Sequence, residues 1–185
     1  MNHLSGLTAH ALCSVVRLQA RKHCEELCAA LGTTAATLPL KTPLEAQVEA
    51  LVAFAKTGAW SVETDVKTTL REVYCALYRS AAHPFSAPMP RTWLADPEDS
   101  LALLARACLA RVAVAADEPV PRLWLATLAD CVEKTIRNAV KDGELVCFRG
   151  EYPAAGGKEE RPVSAESARV WLGKRGVVGI EPSAP

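Results

Sequence analysis

Four prolines, at positions 84, 88, 90 and 97, fall between Ala81 and Pro97 and constrain this chain more than any other feature. Proline lacks the amide proton a helix needs and pushes the residue before it towards extended backbone, so this stretch cannot be helical throughout. On both sides of it apolar residues recur at three- and four-residue spacing. The pattern predicts a helical bundle over 1–80, a proline-rich linker over 81–97 and a second unit over 98–185, sizes that suit small domains. Half of the residues are hydrophobic, yet Phe, Trp and Tyr make up only 5%. Cores must then come from Leu, Val and Ala, and that mixture favours a mainly α fold over a β-sandwich.

Within the first unit, Leu12, Val15, Val16, Leu18, Leu27 and Leu31 mark one face of a helix over Leu7–Leu31 that stops at Gly32. Thr42-Pro43-Leu44-Glu45 supplies a cap, a first-turn proline and an acid for a second helix reaching Lys56, closed by Gly58. A third, capped by the stretch Ser61–Asp65, carries Val66, Leu70, Val73, Leu77 and Tyr78 towards Ser80. These helices are the expected homodimerisation surface. Past the linker, the acidic stretch Asp96–Asp99 leads into a helix with Leu101, Leu104, Cys108, Leu109 and Val112 on one stripe.

Lys plus Arg equals Asp plus Glu at 21 each, so any nucleic-acid contact must be a local patch. Seven cysteines without a CxxC pair read as reduced thiols of a cytoplasmic protein. Cys24 and Cys28 with His23, His3 and His10 lack the two tight ligand pairs of a structural zinc site, and neither metal nor cofactor is assigned. The opening residues lack the basic leader of a signal peptide, and no apolar run approaches the roughly 20 residues of a membrane span. The four histidines sit near no nucleophile motif, and there is no glycine-rich phosphate loop, which argues against an enzyme.

The chemistry-bearing segment starts at Pro121. A short helix over Leu123–Ala129, a turn at Asp130–Val132, a second helix over Glu133–Lys141 and a stop at Gly143 follow in close succession. Two steeply crossing helices need a small residue on the first, an apolar one in the turn and apolar ones on the inner face of the second. Ala126, Cys131, Ile136 and Ala139 meet these needs in order. The outer face then carries Lys134, Thr135, Arg137, Asn138 and Lys141, side chains suited to guanine, adenine and phosphate. Glu144–Arg149 reads as a strand returning through a Gly156-Gly157 tip to Arg161-Pro162-Val163, a small β-hairpin wing. Ser164 caps a last helix whose Ala168, Val170, Trp171 and Leu172 pack back on the pair.

This arrangement resembles the winged helix-turn-helix domains of the MerR and excisionase-like type, over roughly Pro121 to Val178. The resemblance implies duplex DNA as partner, the second helix in the major groove and the wing on the backbone or minor groove, as in a transcriptional regulator. Arg137 and Asn138 are then the candidate base readers, and Lys134, Thr135, Lys141, Arg149, Lys158 and Arg161 the candidate backbone contacts. Two positions depart from the pattern: Asp130 stands where such turns have glycine, and Val132 where they have a capping Ser or Thr. The alternative is a protein-interaction adaptor on the same scaffold, since residues 121–185 hold ten Lys or Arg against nine Asp or Glu.

Overall fold

The computed structural model describes residues 3–33, 43–78, 89–149 and 161–180. The described residues are mainly helical, in the order α1 (Ala9–Ala30), α2 (Pro43–Thr57), α3 (Val66–Tyr78), α4 (Arg91–Leu94), α5 (Ser100–Ala115), α6 (Arg122–Leu128), α7 (Glu133–Lys141) and α8 (Ala165–Lys174). No helix among them is long and apolar enough to cross a membrane.

At the centre lies α5. Its sequence SLALLARACLARVAVA is apolar nearly all round, the pattern of a helix surrounded by protein. Asp99 caps it by accepting the Leu101 and Ala102 amides at 2.8 and 3.1 Å. Leu101 to Arg111 are all buried, against α2, α3, α4, α6 and α8. The expected stripe of five residues is therefore wider than its spacing suggested. Leu101, Leu104 and Cys108 pack into one cluster with Leu12, Leu51, Leu70 and Leu77. Ala110, Ala113 and Val114 pack into another with Leu125, Ile136, Leu145 and Leu172. One continuous helix thus threads both cores.

Two buried arginines lie on α5. Arg106 donates through Nη1 to the Leu94 and Asp96 carbonyls, both at 2.9 Å, while its Nε is buried without a partner among the described residues. Arg111 donates from Nε to Ala55 O and from Nη2 to Lys56 O, at 2.9 and 3.0 Å, satisfying carbonyls at the end of α2.

Several local expectations change on folding. On the first predicted helix Leu12 and Val16 are buried, but Val15, Leu18 and Leu31 are exposed, and the side chain of Leu27 lies outside the described residues. Arg17 on α1 instead grips the buried Glu45 of α2 through two hydrogen bonds of 3.1 and 3.0 Å. The cap of α3 is Asp65, which accepts the Thr68 amide and hydroxyl, rather than the more distant Ser61. Thr68 also holds the Asp65 carboxyl below its ordinary value. On α8, Ala168, Trp171 and Leu172 are buried, whereas Val170 faces outward.

The expected strand over Glu144–Arg149 is not formed; the described residues contain only two isolated antiparallel bridges, Val120 to Val163 and Cys147 to Val163. The cause is local. Val163 spends both backbone groups on Val120, at 2.8 and 2.9 Å, and Pro162 accepts from Phe148 but has no proton to return. The expected tip, Gly156-Gly157, lies outside the described residues, as does the linker from Ala81 to Pro88. The rest of that linker holds α4, and Trp93 on it donates to Asp99 at 2.8 Å and packs on Tyr74 and Tyr78.

Candidate nucleic-acid interface

The helix pair α6–α7 arises where expected. Pro121 opens α6 at the position where a missing amide proton costs nothing, and Ala129 ends it. Asp130 then takes φ 51, the left-handed conformation that glycine would supply and aspartate tolerates. Val132 is extended and begins α7 without a side-chain cap. Ala126, Ile136 and Ala139 are buried and Cys131 half-buried, so the inner face closes with the residues assigned to it.

Opposite that face, Lys134, Arg137, Asn138 and Lys141 are exposed, and Thr135 is half-buried. Arg137 is not an idle cation. Its Nε and Nη2 lie 3.0 and 2.6 Å from Oε1 of Glu133, one turn earlier, and its side chain remains 62% exposed. Asn138 is exposed, and Lys141 lies in the last turn, where a cation suits the helix dipole.

Arg149 and Arg161 are both exposed. Cys147 bridges Val163, and Phe148 donates to Pro162 at 2.8 Å, so Arg149 and Arg161 are the next residues of the two segments beyond this paired stretch. The folded chain therefore gathers four exposed polar side chains on α7, with two further exposed arginines beyond it. Lys158 lies outside the described residues.

Sequence reasoning missed what Asp130 does. Its carboxylate accepts the Leu4 amide at 2.8 Å and the Ser5 amide at 3.3 Å, and His3 Nδ1 lies 3.3 Å away. Burial alone would raise this carboxyl; the hydrogen bonds from Ser5 and Leu4, with His3, outweigh it and hold it below its ordinary value. The start of the chain is thereby clipped to the turn between α6 and α7, and Leu4 and Leu7 enter the core. A partner 126 residues away leaves no periodic trace in sequence; the left-handed Asp was the only signal.

Among the described residues no group of three or more His, Cys, Asp or Glu side chains could hold a metal ion. Comparison of the chain with protein-family models, with curated proteins and with solved structures finds no match.

Proposed function

We propose that the chain binds duplex DNA through α6 and α7 as a helix-turn-helix, with α7 in the major groove, and acts as a regulator. The observation that carries this reading is the division of α7. Ile136 and Ala139 are buried beneath it, while Lys134, Arg137, Asn138 and Lys141 stand exposed on its other side. Exposed Arg149 and Arg161 support a backbone contact at the place of a wing. Homodimerisation through the N-terminal helices would double a modest charge complement, and exposed Val15 and Leu18 on α1 offer apolar surface for it.

Selection from random duplexes by gel shift, at low and raised salt, tests the reading. Enrichment of a motif, a steep salt dependence and about a tenfold or greater loss in Arg137→Ala are expected. Absence of any duplex retention at low salt would instead favour a protein-docking adaptor. That second reading draws on one observation, the Glu133–Arg137 ion pair, which already occupies the foremost base reader.

A further inference from the structure

A cleft of about 340 Å³ opens where the end of α2, the end of α5, the flank of α8 and the segment after it converge. Phe54, Val114 and Ile180 form its apolar wall, and Arg111 and Arg169 both line it. Its size falls at the lower end of small-molecule sites, which run from about 300 Å³. Two guanidinium groups in one cleft set it apart from an ordinary gap between helices.

Arg111 is the stronger of the two. It is only 5% exposed, and its Nε and Nη2 are committed to Ala55 and Lys56 carbonyls. Its Nη1 has no hydrogen bond among the described residues, and no carboxylate there pairs with the group. Burial pushes its pKa down, the mark of a cation short of compensation. Carbonyl dipoles at a helix end offset part of that charge, but among the described residues no carboxylate supplies a full counter-charge.

The backbone keeps this nitrogen reachable. A side chain at Gly58 would place its Cβ 3.2 Å from Nη1, and Gly58 takes φ +80, which only glycine adopts freely. Gly179 packs against the same turn, where a Cβ would fall 2.0 Å from the Thr57 carbonyl oxygen. Arg169 lines the opposite side, its Nη2 donating to Val114 O and to the Asp117 carboxylate, both at 2.6 Å, so Arg111 is the group that would hold an anionic head.

We propose that this cleft is a binding site for a small organic anion, with the anionic head on Arg111 Nη1 and an apolar body against Phe54, Val114 and Ile180. The occupant bridges the two cores, because Phe54 and Gly58 come from the N-terminal helices and Arg169 and Ile180 from the C-terminal ones. The assignment is independent of DNA binding.

Titration calorimetry and thermal unfolding of the full chain with benzoate, inorganic phosphate and neutral benzamide test it. Benzoate should bind saturably and raise the unfolding midpoint, and phosphate and benzamide should bind at least about tenfold more weakly, one lacking the apolar body and the other the charge. Arg111→Met should weaken benzoate by a similar factor. Because that change also strips α2 of its terminal donors, Ala115→Trp serves beside it: it fills the mouth of the cleft, keeps both arginines and should likewise abolish the response. No saturable benzoate binding, equal binding of benzamide or phosphate, or benzoate binding retained in either variant overturns the proposal.

Discussion

Asp130 carries two burdens at once, a left-handed backbone and an ionised carboxylate that holds the Leu4 and Ser5 amides. Replacing it separates them. Asp130→Asn keeps the shape and the tolerance of positive φ but loses the charge, and should cost about 1 kcal/mol, below the usual value of a charged hydrogen bond because the group is partly exposed. The folded carboxyl is depressed relative to the unfolded one, so its contribution is present above the unfolded value and is lost as pH falls through the folded one. Denaturant midpoints of wild type and Asp130→Asn should accordingly converge as pH drops below about 4; a gap that stays constant with pH would show that the charge does not matter. Glu133 admits a sharper test of the DNA reading. Glu133→Gln releases Arg137 from its ion pair and removes a negative charge from the proposed contact face. Duplex affinity measured by fluorescence anisotropy should rise about threefold, and a fall would count against Arg137 as a base reader.

Among the elements, α7 begins without a side-chain cap, as do α4 and α6, whose cap positions are prolines. Val132 precedes α7 at φ −80 and ψ 149, a conformation in which a serine hydroxyl can reach the amides of the first turn, and its side chain is exposed. Val132→Ser should therefore stabilise the protein by about 1 kcal/mol, read as a higher urea midpoint, while Val132→Ala should bring no gain. Helix positions were largely legible in the sequence because caps and breakers are local: Pro43, Gly58, Ser164 and Gly143 mark ends that the chain respects. The inner face of α7 was legible for the same reason, since Ile136 and Ala139 stand one turn apart. Less was legible wherever the deciding partner is distant. The apolar period of α1 did not reveal that Val15 and Leu18 would be exposed. The apolar run inside Glu144–Arg149 did not reveal that its partner would be Pro162, which cannot return a hydrogen bond. Arg106 and Arg111 interrupt an apolar run, and nothing local announces that both are buried against backbone carbonyls.

At the level of the whole molecule, α5 joins what the proline-rich segment divides in sequence. Its first half fills one core and its second half the other, without a break in the helix. Both cores should therefore melt together, giving one calorimetric transition whose enthalpy matches the van't Hoff value. Leu104→Ala, which opens a cavity at a nearly inaccessible site in the first core, should cost about 3 kcal/mol and accelerate amide exchange in α8 as much as in α2. Two separate transitions, or exchange accelerated in α2 alone, would mean that the cores unfold independently. The clip at Asp130 has a further consequence during synthesis. A ribosome releases the N-terminal residues first, yet Leu4 and Ser5 meet their acceptor only after Asp130 has cleared the exit tunnel. While translation proceeds, the segment around Leu4 and Ser5 must wait undocked, and its protection from protease attack would time the arrival of the turn.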